Sequence, residues 1–358
     1  MILLQNLKQQ MPLHILVGYK LMNKKLLIAF GTRPEWIKIK PVVDKIPHHV
    51  PYRILFTGQH TSLVQEYLDN TFIINEVSDG DNRLDSIVCS LLNKNFIFDN
   101  IDHVLVQGDT TSAFAVALAA FHRNIPVIHL EAGLRTFNRQ HPYPEEFNRT
   151  AISSLASIHL CPTETSAKNV RAMVGTDSKI YVTGNTVLDN LYGLTPTVSN
   201  KVLVTMHRRE NHNQIEKWFR EIDSLAEKYN DLEFILPIHP NPNIYNYKNI
   251  LTHVNVVDPL SYDECIDLIR ICKTIITDSG GIQEESAFLK KKCIVCREIS
   301  ERSEGIGTFA YMCQKPDDLS NIFESIINSG QFIVDKKCPY GDGQSSYKIL
   351  KILNESLQ

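Results

Sequence analysis

The fold is first indicated by residues 26–41, which read LLIAFGTRPEWIKIKP. Five apolar residues predict a buried β-strand, Gly31 permits a tight turn, and Pro34 presets the φ angle of the first helical turn. The second half of the chain restarts with another such strand, KVLVT (201–205). Buried apolar strands that alternate with helices are typical of parallel sheets, so the chain is predicted to have an α/β fold.

Short β-rich runs alternate with helical patterns in two series, which indicates two doubly wound, Rossmann-like domains that face each other across a cleft. Residues 192–200, YGLTPTVSN, are rich in turn formers and form the natural linker. We expect an N-terminal extension at 1–23, a first domain at 24–190 and a second domain at 191–340. The predicted strands are 26–30, 52–56, 103–107, 126–130, 158–162, 179–183, 201–205, 234–238, 254–258, 274–278 and 293–297.

Composition narrows the class of protein. The chain has 358 residues, of which 43% are hydrophobic and 22% charged, as is ordinary for a soluble globular protein of about two domains. The net charge of -3 argues against nucleic-acid binding through bulk charge. No apolar run approaches the length of a membrane span. The eight cysteines are too sparse for a disulfide scaffold, so Cys293 and Cys296 are interpreted as buried thiols of a cytoplasmic protein.

Several predicted strands end in charged or reactive residues. HVLVQ leads to Asp109, PVIHL leads to Glu131, and KVLVT leads to His207 and Arg208. In open α/β sheets, ligands bind outside the carboxyl ends of the strands. The sequence therefore predicts a ligand site where these ends of the two domains face each other.

Residues 277–286, TDSGGIQEES, follow a predicted strand and open a predicted helix. Gly280 and Gly281 allow close approach of a ligand to the backbone, and the N–H groups of the helix start are able to hold a phosphate. Ser279 suits a helix cap or a ligand oxygen, and Glu285 suits a ribose diol. The alternative is an ordinary capped helix with acidic residues near its start.

Basic residues follow strands in both halves. Arg33 and Lys38 come after the first strand, and His207 and Arg208 come after the first strand of the second half. Such groups neutralise a diphosphate without a metal ion. The alternative for Lys38 is an ion pair with Glu35 on the same helix. No stretch has metal-ligand spacing, so no metal site is predicted.

Asp109, Glu131 and Glu145 form an acidic set. The first two end predicted neighbouring strands, so they are expected to converge. Carboxylates crowded in a cleft raise one another's pKa and serve as acid or base. The alternatives are that Asp109 caps the next helix and that Glu145 pairs with Arg149 one turn later. Because the three carboxylates are expected to lie together beside an anion site, a catalytic role is favoured over these structural alternatives.

A set of motifs runs in order along nearly the whole chain. They are GTRPEWIKIKP (31–41), TGQH (57–60), VQGDTTSAFA (106–115), HLEAGLRT (129–136), YPEEFNRT (143–150), PTETSAKN (162–169), TGNTVLDN (183–190), VTMHRREN (204–211), PIHPNP (237–242), TDSGGIQEES (277–286) and PYGDG (339–343). With these motifs the chain resembles the non-hydrolysing UDP-N-acetylglucosamine 2-epimerases.

The resemblance implies the glycosyltransferase B arrangement, in which a final helix at 341–358 packs back onto the first domain, and it implies a homodimer. The family interconverts UDP-GlcNAc and UDP-ManNAc for polysaccharide biosynthesis, capsules included. UDP is eliminated to leave 2-acetamidoglucal and is then added back, with no metal, nicotinamide or other cofactor.

The resemblance also implies roles for the candidate residues, while leaving open which carboxylate acts at which face of the sugar. The catalytic positions are Asp109, Glu131, Glu145, His207, Arg149 and Lys38. The substrate-binding positions are Arg33, His207, Arg208, Ser279, Gly280, Gly281 and Glu285.

The chain departs from the family pattern in a few places. Residues 301–304 read Glu-Arg-Ser-Glu where an Arg-Pro-Glu stretch is common, so another loop conformation is expected. Cys265 stands where a Phe often packs near the uracil. Some members bind a second UDP-GlcNAc as an activator through a Gln-His stretch that matches His60, but Ser62 and Asp81 differ from it. The same allosteric contacts are therefore not expected.

Four other functions stay open at this stage. The nearest is a hydrolysing relative that releases UDP and ManNAc, and the next is a 2-epimerase of a modified UDP-sugar. A glycosyltransferase of the same fold and a non-catalytic UDP-sugar sensor belong to different classes, and the three carboxylates argue against both.

Overall fold

The structure is a computed structural model of the chain. The predicted extension at 1–23 lies outside the described residues, as do His60, Ser62 and Asp81. The described residues are 25–59, 71–73, 82–175 and 177–357.

The first half forms a parallel sheet covered by helices. Among the described residues this sheet has seven strands. The elements are β1 (Leu26–Phe30), α1 (Arg33–Val43), β2 (Tyr52–Phe56), β3 (Thr71–Ile73), α2 (Arg83–Asn93), β4 (His103–Gln107), α3 (Thr111–Phe121), β5 (Val127–Leu130), α4 (Glu145–Leu155), β6 (Ile158–Cys161), α5 (Glu164–Arg171) and β7 (Lys179–Val182). The strand order is β3-β2-β1-β4-β5-β6-β7.

The second half repeats this plan with six strands in its described part. The elements are β8 (Lys201–Thr205), α6 (Ile215–Lys228), β9 (Glu233–Pro237), α7 (Pro242–Tyr245), β10 (Asn255–Val257), α8 (Tyr262–Ile271), β11 (Thr274–Thr277), α9 (Gly280–Phe288), β12 (Cys293–Val295), β13 (Ala310–Met312), α10 (Leu319–Asn328) and α11 (Ser345–Ser356). The strand order is β10-β9-β8-β11-β12-β13, and every pair is parallel.

Each sheet has a point where the strand order reverses. In the first sheet it lies between β1 and β4, where Ile28 pairs with Leu105. In the second sheet it lies between β8 and β11, where Leu203 pairs with Ile275. The loops that leave such neighbouring strands diverge and open a crevice at their carboxyl ends. The loops after β1, β4, β8 and β11 are therefore the ones placed to meet a ligand.

Helix α11 belongs to the core of the first half although it ends the chain. Its Ile349 and Leu353 are buried in one cluster with Leu26 and Ile28 of β1. Residues 192–200 contain neither helix nor strand. Among the described residues, no helix combines the length and apolar character needed to cross a membrane.

The predicted fold class, two Rossmann-like units of the glycosyltransferase B type, is confirmed by the two parallel sheets. Strands β3 and β13 were not predicted, because three-residue edge strands carry too little apolar pattern to be distinguished from loops. Cys293 and Cys296 are both fully buried with free thiols. Burial raises the pKa of the Cys293 thiol to about 12.

Two buried histidines make the first sheet sensitive to acid. His129 on β5 and His159 on β6 are paired in register, and neither is exposed to solvent. Burial lowers the pKa of His129 to about 3 and that of His159 to about 4, against an ordinary value of 6.5. Below pH 6.5 these two imidazoles bind protons in the unfolded chain but not in the folded one, so their contribution to stability decreases as the pH falls.

We predict that His159→Phe weakens this dependence. Each excess proton in the unfolded state contributes a slope of up to about 1.4 kcal/mol per pH unit, and the variant removes one of them. The free energy of unfolding in urea, measured at pH 7 and pH 5.5, reports the slope. His48→Asn, at an exposed position, should leave it unchanged. An unaltered slope in His159→Phe would rule out this residue as a source.

Candidate active site

A cavity of about 380 Å³ lies between the two sheets. It is formed by the loop after β4, by the segment that leads into α4 and by the loop after β8, and so it joins the two halves. Its lining residues are Gln59, Leu84, Asp109, Thr110, Thr111, Gln140, His141, Pro142, Tyr143, Pro144, Glu145, Asn148, His207, Arg208, Arg209 and Glu210.

Asp109 is held from the side of α4. Its Oδ2 lies 2.7 Å from Nε of Arg149, and its carbonyl oxygen accepts a hydrogen bond of 2.9 Å from the side chain of Asn148. The alternative in which Asp109 caps the next helix is wrong. Thr110 is the cap of α3, and its hydroxyl accepts from the backbone N–H of Ala113. The Asp109 carboxylate therefore lines the cavity instead of serving the helix.

Glu145 begins α4 and lines the same cavity as Asp109. The alternative of an ion pair with Arg149 is wrong as well, because Arg149 bonds to Glu146 at 3.1 Å instead. The Oε2 atom of Glu145 is buried and has no hydrogen-bond partner within the described part of the chain. Burial, and then the nearby charge of Asp109, raise the pKa of Glu145. The two carboxyl groups thus lie in different environments.

Glu131 follows β5 and lies in the protein interior beside the cavity. Its backbone takes a φ of 64°, in the left-handed region that a residue with a side chain seldom adopts. Its two oxygens lie 2.8 and 2.6 Å from Nζ of Lys38, so Lys38 pairs with Glu131 and not with Glu35. Burial alone would raise the pKa of Glu131, but Lys38 and Arg302 outweigh burial and hold this pKa below its usual value.

Arg302 connects the two halves through buried carboxylates. Its guanidinium pairs with Glu284 and Glu301 of the second half and lies 3.4 Å from Glu131 of the first. Asn185 bridges Glu131 and Glu284 with bonds of 2.7 and 2.5 Å. All of these side chains are buried.

Arg302 and its buried carboxylates form an ion network that extends further through Glu301. This carboxylate lies 3.0 Å from Arg297 and 3.5 Å from Arg149, the same arginine that holds Asp109. Burial would raise the pKa of Glu301, but Arg302 and Arg297 hold it well below the usual value. The loop at 301–304, which differs from the family pattern, therefore turns inward and joins the site.

His207 and Arg208 are positioned by the buried Asp278, which directly follows β11. The backbone N–H groups of both residues donate to Asp278, at 2.9 and 2.8 Å. Nδ1 of His207 lies 3.1 Å from the same carboxylate, so Nε2 is the ring nitrogen available to a ligand. Burial would raise the pKa of Asp278, but His207 outweighs burial and brings it to about 2. Arg208 lines the cavity, and its Nε is buried with no partner among the described side chains.

The start of α9 is a capped helix end with room for a ligand at one glycine. Ser279 is its cap. A Cβ on Gly280 would lie 2.3 Å from the Arg302 guanidinium, so only glycine fits there. A Cβ on Gly281 would approach only the Ser279 hydroxyl, at 3.8 Å. Burial raises the pKa of Glu285, on the same helix, to about 7.

The predicted site residues thus fall into four groups. Asp109, Glu145, His207 and Arg208 line the cavity, whereas Glu131, Lys38 and Arg149 belong to the buried ion network. Ser279, Gly280, Gly281 and Glu285 lie on α9, and Arg33 is exposed at the start of α1.

Sequence reasoning missed Asn185, Glu284 and the partners of Glu301 and Arg302. Asn185 and Glu284 lie inside the motifs at 183–190 and 277–286, which were one signal in the sequence, and the adjacent Glu301-Arg302 pair shortly after a buried strand was another. Within the described ranges, no group of three or more His, Cys, Asp or Glu residues is placed to hold a metal ion.

The chain is similar to proteins named UDP-N-acetylglucosamine 2-epimerase. The family model for UDP-N-acetylglucosamine 2-epimerase matches residues 45–354. A relative of that name from Salmonella borreze is 36% identical over 369 residues, which cover 91% of this chain and 97% of the relative.

Solved structures agree with this match. The crystal structure of UDP-GlcNAc 2-epimerase from Neisseria meningitidis bound to UDP-GlcNAc matches with a TM-score of 0.83 and 33% identity, and it covers 92% of this chain and 100% of that one. The Methanocaldococcus jannaschii UDP-GlcNAc 2-epimerase in complex with UDP-GlcNAc and UDP matches with a TM-score of 0.77 and 28% identity, over 92% and 99%.

We predict that Arg302→Met strongly destabilises the protein. The substitution leaves Glu131, Glu284 and Glu301 buried without their shared cation, and breaking a buried ion pair in this way costs about 3–5 kcal/mol. Urea denaturation measures the loss. Arg220→Met removes an exposed arginine paired with Glu216 and should change the free energy of unfolding by less than about 0.5 kcal/mol. Equal losses in the two variants would contradict a special role for Arg302.

Proposed function

The chain belongs to the UDP-N-acetylglucosamine 2-epimerase family, and from this premise we propose that it reversibly interconverts UDP-GlcNAc and UDP-ManNAc without hydrolysing them. The observation that carries the proposal is the cavity between the halves, because it brings Asp109 and Glu145 beside His207 and Arg208. The relatives' structures with bound UDP-GlcNAc and UDP support the substrate class.

The second half would hold the nucleotide. The N–H groups at the start of α9 and the Ser279 hydroxyl suit a phosphate, and Gly281 leaves space for its approach. Glu285, the sixth residue of the helix, would take the ribose diol. This arrangement leaves the sugar to extend towards the first half, where the carboxylates lie.

The basic residues would stabilise UDP as it departs. Breaking the anomeric C–O bond places negative charge on the diphosphate, and preorganised donors lower the energy of that state. His207 and Arg208 face the cavity and are well placed for this role, and Arg33 would reach the diphosphate from the start of α1. Lys38 would act through Glu131, the carboxylate with which it is paired.

Elimination and re-addition need a base and an acid. In the first step a carboxylate takes the C2 proton, the C1–C2 double bond forms, and the anomeric C–O bond electrons leave with UDP. In the second step the UDP oxygen adds back to C1, and C2 receives a proton on the face opposite to the one that lost it. Two carboxyl groups in different environments suit the two roles.

The environments of the three carboxylates favour a division of labour between them. Asp109 is held by Arg149 and lines the cavity, so its carboxylate is placed to act as the base. The raised pKa of Glu145 favours the protonated form and hence an acid. Glu131 would remain ionised between Lys38 and Arg302. Closure of the two halves around the glycal would exclude water and retain UDP, which distinguishes epimerisation from hydrolysis.

We further propose a homodimer in the cytoplasm, with the domain limits 24–190 and 191–340 and the helix at 341–358 returning to the first domain. The contact of α11 with β1 supports the last point. Size-exclusion chromatography with light scattering on the full chain tests the dimer.

Turnover of UDP-GlcNAc in heavy water tests the function. We expect proton NMR to show UDP-ManNAc, with deuterium accumulating at C2 in the nucleotide-sugar pool. Free ManNAc as the main product would replace the proposal with hydrolysis. Turnover only of a UDP-sugar with a modified ring would replace the substrate, and no reaction without an added acceptor would indicate a transferase or a sensor.

We predict that Asp109→Asn lowers kcat by about 10²–10⁴-fold, the usual contribution of a positioned acid or base. Folding should be nearly normal, because the amide oxygen still accepts from Arg149. The matched control is Asp44→Asn, at an exposed site paired with Lys40. Steady-state kinetics and thermal melting compare the two variants with the wild type. Turnover close to that of the wild type would remove Asp109 from the mechanism.

A further inference from the structure

Glu35 is a buried carboxylate to which the proposed mechanism gives no task. It is the third residue of α1, and only 2% of its surface is exposed. Its Oε2 accepts hydrogen bonds from the Gly31 N–H at 3.0 Å and from the Thr32 hydroxyl at 2.7 Å. Its Oε1 accepts from the Thr110 hydroxyl at 2.7 Å. No basic side chain in the described part of the chain forms an ion pair with it.

The position of Glu35 is one where a Rossmann-like unit often holds a ligand phosphate. Such phosphates lie at the start of the helix after the first strand, where free N–H groups point outward. Here the chain's own carboxylate takes the Gly31 N–H. Burial raises the pKa of Glu35 to about 7, against the opposing effect of its hydroxyl donors. Burying a carboxyl group is unfavourable, so its contacts should stabilise another part of the structure.

The reason lies in the loop after β4. Thr110 both donates to Glu35 and caps α3, and it directly follows Asp109. The loops after β1 and β4 are in close contact, since a Cβ on Gly31 would lie 2.2 Å from the Ser112 hydroxyl. Asp109 is thus held on two sides, by Asn148 and Arg149 of α4 and, through Thr110, by Glu35.

We propose that Glu35 is a positioning residue that fixes the loop at 108–112 and thereby orients the Asp109 carboxylate towards the substrate. The inference rests on the proposed function, in which Asp109 transfers a proton. Glu35 would thus act through its bond to Thr110, which joins α1 to the neighbouring loop, and not only through its local bonds at the start of its own helix.

The chain contains a matched comparison for that local role. Glu264 is the third residue of α8, and its Oε2 accepts from the Ser261 N–H at 2.8 Å and from the Ser261 hydroxyl at 2.7 Å. This capping box is exposed and lies outside the cavity. Glu35 and Glu264 thus share their bonds to the helix start, whereas Glu35 alone also bonds to Thr110.

Glu35→Gln and Glu264→Gln separate the two roles. A glutamine has one acceptor oxygen, so at position 35 it cannot accept from both the Gly31 N–H and the Thr110 hydroxyl. We expect kcat to fall by about 10–100-fold in Glu35→Gln, because small misplacements of a catalytic group have effects of this size. The KM for UDP-GlcNAc should stay within about threefold, since most of the proposed nucleotide contacts lie in the other half and the Arg33 side chain is unchanged. Glu264→Gln should keep the wild-type kcat.

A double-mutant cycle with Thr110→Val keeps the proposal testable if Glu35→Gln folds poorly. Thr110→Val removes the hydroxyl and should lower kcat to a similar degree, whereas Thr110→Ser keeps the hydroxyl and should restore it. Because both substitutions weaken the same bond between positions 35 and 110, their effects on kcat should not multiply in the double variant. Multiplicative losses, or a wild-type kcat in Glu35→Gln, would overturn the proposal.

Wild-type turnover and calorimetric UDP binding are measured first. An inactive wild type that binds UDP would overturn the proposed function, and with it the role given to Asp109. An active wild type whose Glu35 variant is unaffected would overturn the role of Glu35 alone.

Discussion

The arrangement of the two halves depends on one buried cation. Arg302 is in contact with three carboxylates, one from the first half and two from the second, and all four groups are buried. Charges withdrawn from water are tolerated only when they are paired. Arg302 is shared by Glu131, Glu284 and Glu301, while Lys38 adds a second pair to Glu131 and Arg297 a second pair to Glu301. The cavity between the halves therefore has a defined shape, because its opposing walls are joined behind it.

The three carboxylates Asp109, Glu131 and Glu145 have similar chemistry but different neighbours. Glu131 lies against Lys38 and Arg302, and its pKa is lowered. Glu145 is partly buried with an unpartnered oxygen, and its pKa is raised. Asp109 shares Arg149 with Glu301, so its position depends on the network as well. Folding therefore shifts the pKa values of Glu131 and Glu145, which look alike in the sequence, in opposite directions.

The sequence predicted the strands of both sheets well, because buried strands have a dense apolar pattern, and it predicted that Asp109, Glu131 and His207 follow strands. Which side chains pair could not be predicted. Glu145 and Glu146 are equivalent in the sequence, but only the second meets Arg149. For Lys38 the local pattern offered only Glu35 on its own helix as an alternative partner, whereas the side chain pairs with Glu131, directly after β5. Such pairings depend on distances across the sheet and between the halves, which no local pattern records.

The two points at which the strand order reverses are alike in topology, but the loops beside them differ in charge. At the first, Glu35 already occupies the N–H group of the β1 loop, so the loop presents little that would hold a phosphate. At the second, Asp278 lies behind the loop and holds His207 and Arg208, while α9 begins with an accessible glycine. An anionic nucleotide therefore favours the second half, and its sugar meets the carboxylates of the first. A net charge of -3 conceals this separation, because cations and carboxylates face each other across the cavity.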